Sequence, residues 1–253
     1  MSSLLRRFLL IMAVVLGAVL PARADRAEDL ARIHLEAIGG KQRIDALATL
    51  RASGVAFAGG KQVRFTMVAA RPARVRIETE GGGRTLIQAS DGAAPPWEFD
   101  SSAAPVQYRA MPETSARTFV NDAEFDDPLV TGVARGFTMD YAGEIDVNGR
   151  KLHRILLTRK MTEPFSVLVD DETFFIVMRV ELRKSAAGRT LQVVTHFEDF
   201  RPVNGVIFPY QITLTIDGQV KQQTKITKME ANPEVAADAF TRPVVVVPGL
   251  AAP

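Results

Sequence analysis

Histidine is the side chain that most often moves protons or binds metal near neutral pH, and this chain has three: His34, His153 and His196. None stands in a His-x-His or His-Glu-x-x-His pattern, so the spacing offers no zinc site. A structural or surface role is expected for each. Two pairs of adjacent carboxylates, Asp126-Asp127 and Asp170-Asp171, are the next candidates. Neighbouring side chains in a strand point to opposite faces, so Asp170 and Asp171 are not expected to share a site, and Asp171-Glu172-Thr173 reads as a turn. Asp127 followed by Pro128 reads as a helix cap with proline in the first turn. Gly81-Gly82-Gly83-Arg84 joins two strands instead of opening a helix, which fits a hairpin better than a phosphate loop. There is no Gly-x-Ser-x-Gly elbow and no Walker loop. No catalytic residue, metal or cofactor is assigned, and the chain is not expected to be an enzyme.

The elements that would position these residues are mostly strands. Leu30, Ile33, His34, Ala37 and Ile38 follow a helical period, stopped by Gly39-Gly40. A second short helix is expected from Lys41 to Leu47. The period then becomes two. Val63, Phe65, Met67 and Ala69 alternate with polar residues, as do Val75 and Ile77. The segment from Asp91 to Gly136 carries five prolines and reads as loop with one or two short helices, whose apolar side holds Phe119, Phe125, Leu129 and Val130. Strands resume with Phe137, Met139 and Tyr141, and Asn148-Gly149 marks a hairpin. Further apolar rows are Phe174, Ile176, Met178, Val180, Leu182 and Val206, Phe208, Tyr210, Ile212, Leu214, Ile216. Ten or eleven strands joined by short turns predict an antiparallel meander with helices at the start and in the middle, an α+β arrangement. A sheet this large tends to curl. With few helices to cover it, its apolar face would enclose either a packed core or an apolar cavity.

The first 24 residues are expected to be a cleavable secretory signal. Arg6 and Arg7 precede an apolar run from Phe8 to Leu20, and Pro21-Ala22-Arg23-Ala24 ends in small-x-small. The run is short of the roughly 20 residues that span a membrane. Cleavage after Ala24 leaves residues 25–253 as one domain. It removes three of the 31 basic residues and none of the 29 acidic ones, for a net charge of −1. The basic character of the whole chain therefore belongs largely to the signal, and no nucleic-acid partner is implied. Without cysteine there is no disulfide framework and no lipid-attachment site. The expected location is the periplasm, as a monomer.

The order of these features resembles the LolA-like family of periplasmic carriers that sort lipoproteins to the outer membrane. Arg71-Pro72 before Val75-Arg76-Ile77-Glu78 resembles its Arg-Pro strand start. Ser90-Asp91-Gly92 with Trp97-Glu98-Phe99 is similar to its Asp-Gly-x-x-x-Trp segment, with an insertion. Val169-Asp170-Asp171-Glu172-Thr173 is similar to its Asp-x-x-Thr hairpin, and Phe240-Thr241-Arg242-Pro243 resembles its closing phenylalanine and proline. The chain looks like a divergent member, with longer N-terminal helices and an enlarged middle segment. The resemblance implies a large curved antiparallel sheet forming an unclosed β-barrel with N-terminal and lid helices. It implies a lid from Pro112 to Ala134, latched by Arg71. The expected ligand is lipid or an acylated lipoprotein, handed between transient inner- and outer-membrane partners. Expected lining residues are Phe65, Val75, Ile77, Trp97, Phe119, Phe125, Leu129, Phe174, Ile176, Met178, Phe208, Tyr210 and Ile212. The competing expectation is a periplasmic sensor of the same fold that holds a membrane-protein partner.

Overall fold

The period-two segments form one antiparallel sheet. The computed structural model describes residues 21–122, 127–160, 163–185 and 188–243; the apolar run of the signal lies outside them. Two helices open the described chain, α1 (Pro21–Ala37) and α2 (Lys41–Asp45). Six strands follow: β1 (Thr49–Ala58), β2 (Lys61–Ala70), β3 (Arg74–Gly81), β4 (Arg84–Ser90), β5 (Trp97–Asp100) and β6 (Tyr108–Ala110). After α3 (Glu113–Asp122), α4 (Pro128–Thr131) and a 3-10 turn (Val133–Arg135) come seven more. These are β7 (Thr138–Val147), β8 (Arg150–Thr158), β9 (Phe165–Asp170), β10 (Ile176–Lys184), β11 (Thr190–Val203), β12 (Val206–Ile216) and β13 (Gln219–Ala231).

The hydrogen-bonded order is β6-β5-β4-β3-β2-β1-β13-β12-β11-β10-β9-β8-β7. Every neighbour is a sequential hairpin except β1 with β13, which joins two meanders into a sheet with two edges, not a closed barrel. Among the described residues there are thirteen strands, where ten or eleven were expected. The extra pair, β5 and β6, sits in the proline-rich middle segment. They are four and three residues long, too short to show an alternation.

The expected turns are built as their residues dictate. Asn148 (φ 55°) and Gly149 (φ 79°) both take left-handed backbone between β7 and β8, the requirement that makes Asn-Gly a hairpin signal. The side chain of Asp127 accepts from the amides of Leu129 and Val130 and caps α4, with Pro128 in its first turn.

The chain divides into two compact units. One comprises Met1–Gly40, Asp127–His196 and Ile216–Gly218; the other comprises Lys41–Asp126, Phe197–Thr215 and Gln219–Pro253. In the first, α1 buries Ala27, Leu30, Ala31 and His34, with Ile38 buried just past its end, a stripe at helical spacing that begins one turn earlier than the sequence pattern suggested. In the second, the core is carried by Leu50, Ala52, Ala69, Val75, Tyr210 and Ile226.

The β1–β13 ladder contains a bulge. Ser53 faces Lys228 and Gly54 faces Ile226, so Thr227 is the extra residue, and its hydroxyl donates to Ser53 O at 3.1 Å. A Cβ on Gly54 would meet Lys225 O at 2.1 Å and Ile226 Cα at 2.9 Å. Both are backbone atoms and cannot swing aside. Gly54→Ala is expected to destabilise the fold by roughly 1–3 kcal/mol, read as a lower urea midpoint with an unchanged slope. An unchanged midpoint would mean that the two strands separate freely at the bulge.

Candidate functional site

In the unit that begins at Lys41, cross-strand register gathers large apolar residues on one sheet face. Directly opposed residues of an antiparallel pair share a face. Met67 opposes Ile77 on β3 and Ala52 on β1, and Ala69 opposes Val75. Ala52 also opposes Met229 on β13. Tyr210 is buried with Ala52, Val203 and Ile226, and Phe65, Met67, Phe208 and Ile212 pack around them. The helix α3 covers part of this face: Phe119 is buried against Ala69, Val75 and Met111, with Ala116, Met67 and Ile77 alongside. Phe65, Met67, Ile77, Phe208 and Ile212 are each only half-buried. Met67 belongs to both clusters and was not among the expected lining residues, although its place in the alternation of β2 marks it.

Trp97 does not join this face. It opposes Ala89, which opposes Arg76, and Arg76 lies on the face away from Val75 and Ile77. There Trp97 is buried with Ile87 and Ala89, and Phe99 and Tyr108 pack against them. Its indole N–H donates to Phe240 O at 2.9 Å. Phe125 lies outside the described residues. Arg71 follows β2, and its guanidinium Nη1 donates to Ile44 O at 2.8 Å and Leu47 O at 2.6 Å. Ile44 is in the last turn of the second N-terminal helix and Leu47 lies two residues past its end. The structure thus ties Arg71 to that helix.

The other unit holds Leu129, Phe174, Ile176 and Met178. Leu129 is buried at α4. Ile176 opposes Val169 but Met178 opposes Leu168, so Val177 is a bulge residue. A bulge shifts the alternation by one. The apolar row beginning at Ile176 therefore splits: Ile176 stays on the face of Val169, while Met178 and Val180 turn to the other. Arg179, opposite Val167, and Glu181, opposite Phe165, take the places vacated. Phe174 sits in the preceding turn with φ 56°.

Two histidines of this unit are buried. The His34 Nδ1–H donates to Phe174 O at 2.7 Å, and Nε2 lies 3.0 Å from Asp127 Oδ2. Burial opposes charge on the ring, but the Asp127 carboxylate and the Phe174 carbonyl outweigh it and raise the His34 pKa. Burial likewise opposes the charge of Asp127, and His34 with the amides of Leu129 and Val130 lowers its pKa. Both shifts favour the imidazolium–carboxylate form of the pair. His153 Nε2 lies 2.7 Å from Asp171 Oδ1, and Nδ1 lies 3.2 Å from the Tyr141 hydroxyl.

Asp170 and Asp171 both line a cleft of about 230 Å³ with Gly149, Arg150, Lys151 and Glu172. The turn expected at Asp171 is present, and because strand alternation stops there the two side chains line one cleft, where no shared site was expected. The Asp170 carboxylate accepts from Thr173 N and Oγ1 at 2.9 and 2.8 Å and from Arg150 Nη2 at 2.8 Å. Its lone pairs are spent on closing the hairpin.

No family model and no curated protein matches the chain. Solved structures do. A DUF1329 family protein from Desulfovibrio piger superposes with a TM-score of 0.58 at 12% identity, over 86% of this chain and 97% of that one. A putative outer membrane lipoprotein-sorting protein domain from Vibrio parahaemolyticus gives 0.56 at 8% identity, over 86% and 97%. A LolA superfamily protein from Nitrosomonas europaea gives 0.55 at 12% identity, over 84% and 96%. At these identities the likeness is one of fold, and the LolA-like fold expected from the sequence is the fold of this chain.

Proposed function

We propose that this protein is a periplasmic carrier that takes lipid, or the acyl chains of lipoproteins, against the apolar sheet face and shuttles them toward the outer membrane. The supporting observation is that Phe65, Met67, Ile77, Phe208 and Ile212 stand together on one face and are left half-buried. Contiguous exposed apolar surface on a soluble protein marks a binding site. Each acyl methylene buried there contributes about 0.8 kcal/mol. Relative to water, ten methylenes would contribute about 8 kcal/mol before the cost of ordering the chain, which offsets what those methylenes give up on leaving a bilayer. In this reading the signal is removed after Ala24, residues 25–253 act as a monomer in the periplasm, and donor and acceptor membrane proteins meet it only transiently. The Phe119 side of α3 is the cover that acyl chains displace.

Native mass spectrometry of protein purified from a periplasm is expected to show a species heavier by one or two lipids. Delipidated protein is expected to take up a fluorescent fatty acid. A clean apo mass together with no uptake would overturn the reading. Stable co-purification of an inner-membrane protein without lipid would favour a sensor of the same fold.

A further inference from the structure

The tip of the β1–β2 ribbon and the start of β13 lie side by side in the unit that begins at Lys41. Gly59 (φ 55°) and Gly60 (φ 74°) make the two-residue turn, and a Cβ on either would meet nothing within 4 Å, so the tip stands clear of the protein. Ala58 opposes Lys61 and Gln222, Phe57 opposes Gln62 and Gln223, and Val55 opposes Arg64 and Lys225. Opposed residues share a face, as do residues two apart along a strand. Phe57 therefore shares one face with Lys221, and with Arg64 and Lys225 further in. Lys61 shares the other face with Val220. Each face thus carries one exposed apolar side chain, Phe57 at 46% and Val220 at 57%, next to a lysine. The charge around them has one sign. Residues 55–64 hold Lys61 and Arg64, residues 219–228 hold Lys221, Lys225 and Lys228, and neither stretch holds an acid. Three of the five cations have a carboxylate near: Arg64 lies 3.6 Å from Glu80, Lys228 lies 3.7 Å from Glu230, and Lys225 acts on Asp199, which Arg201 holds at 2.7 Å. Lys221 donates to the neutral side chain of Gln219 at 2.8 Å. Asp217, just before β13, lies 3.4 Å from Arg189. The β3–β4 tip differs on both counts: Gly81, Gly82 and Gly83 offer no side chain, and Arg84 Nε donates to Asp100 at 2.9 Å.

We propose that the β1–β2 tip, with the start of β13, is where this protein touches an anionic bilayer surface: Phe57 and Val220 enter the headgroup layer, and Lys61, Lys221, Arg64 and Lys225 meet the lipid phosphates. Single exposed apolar residues are ordinary on a protein surface. Here two of them stand at one glycine-turned tip, ringed by cations without an acid between. The arrangement favours a lipid surface over a protein groove because both faces of the ribbon are alike. A groove takes one face, whereas a ribbon entering a bilayer end-on is surrounded by the same headgroups on each side. Long basic side chains then extend their charge to the phosphates while their stems and the aromatic ring sit below. The docking goes beyond the carrier reading and does not need it, since a protein can touch a bilayer without removing lipid from it.

The test uses the full mature chain and co-sedimentation with vesicles of mixed phosphatidylglycerol and phosphatidylcholine, against vesicles of phosphatidylcholine alone. Wild type is expected to bind the anionic vesicles at least tenfold more tightly, and to lose most of that binding between about 50 and about 500 mM salt. Phe57→Ser is expected to weaken it at least tenfold. The double variant Lys61→Gln with Lys221→Gln, whose side chains are both exposed, is expected to weaken it about 25-fold, a factor of about five for each charge, and serves if Phe57→Ser fails to fold by circular dichroism. Because the chain has no cysteine, Ala58→Cys places an environment-sensitive dye at the tip alone, and Ala236→Cys places it past the other end of β13. A blue shift on anionic vesicles is expected at 58 and not at 236. Equal binding to both vesicles, binding untouched by the variants, or a dye at 58 that does not shift overturns the proposal. Binding to neither vesicle also overturns it and gives the tip to an acidic protein surface. Uptake of a fluorescent fatty acid by the same samples reports on the carrier reading separately, so uptake without vesicle binding defeats the docking alone, and vesicle binding without uptake defeats the carrier alone.

Discussion

Replacing His34 by alanine is expected to cost roughly 2–4 kcal/mol of folding free energy near pH 6 and distinctly less near pH 9. The ring is 1% exposed and gives both nitrogens to acceptors, the Asp127 carboxylate and the Phe174 carbonyl. Alanine leaves those acceptors facing an apolar void, and the surviving charge of Asp127 is only a quarter exposed. The pH dependence follows from the directions of the two shifts. The pKa of His34 is raised in the fold, so its contribution is complete below the unfolded value of about 6.5 and is lost as pH rises through the folded one. The pKa of Asp127 is lowered, so its contribution is complete above an unfolded value of about 3.9 and is lost as pH falls through the folded one. The pair is therefore fully effective between about pH 4 and 6.5. Urea unfolding of wild type and His34→Ala from pH 4 to pH 9 checks this. A difference between them that stays constant from pH 6 to pH 9 would refute the ion pair, because a neutral hydrogen-bonded ring does not titrate away.

Trp97→Ala is expected to lose roughly 3–5 kcal/mol. The indole is 3% exposed, meets Tyr108 edge-on at 5.6 Å, lies beneath Arg76 with Cζ 5.7 Å from its centroid, and donates to Phe240 O. Trp97→Phe keeps most of the packing and strands only that carbonyl, so about 1–2 kcal/mol is expected. The same contact offers a readout. Trp97 is the single tryptophan of the chain, so Phe240→Ala, which removes a buried side chain and loosens the segment whose carbonyl the indole binds, should shift the emission to the red. Unchanged emission in Phe240→Ala, with a cost below about 1 kcal/mol for Trp97→Ala, would mean that the C-terminal segment does not close this face.

What the sequence made legible was local. Turn residues name themselves, because Asn148-Gly149 and Asp127-Pro128 satisfy needs of the backbone within a few positions. The apolar face of β2 and β3 was visible because unbroken alternation carries its own phase. The errors arose where phase was lost. Pro95 and Pro96 precede Trp97, so no alternation leads into β5, and its face is set only by pairing with β4. Val177 looks like any other valine, and only the partner strand shows that it is an extra residue. The pairing of His34 with Asp127 spans 93 positions, and neither residue carries a mark of the other. The place of Arg179 over the Phe165 ring is likewise a product of register, since the row from Phe174 to Leu182 advertises the apolar side chains and hides the charged ones between them.

The Val177 bulge also bears on how this strand tolerates insertion and deletion. Loss of that one codon leaves Ile176 opposite Val169 and Met178 opposite Leu168, so the reading frame of the faces survives and the ladder becomes regular. Loss of a codon a few residues later, at Val180, reverses every following side chain and carries Glu181 and Arg183 to the far side. A comparison of descendant sequences should accordingly find a one-residue gap accepted at position 177, with the charged residues beyond it keeping their spacing.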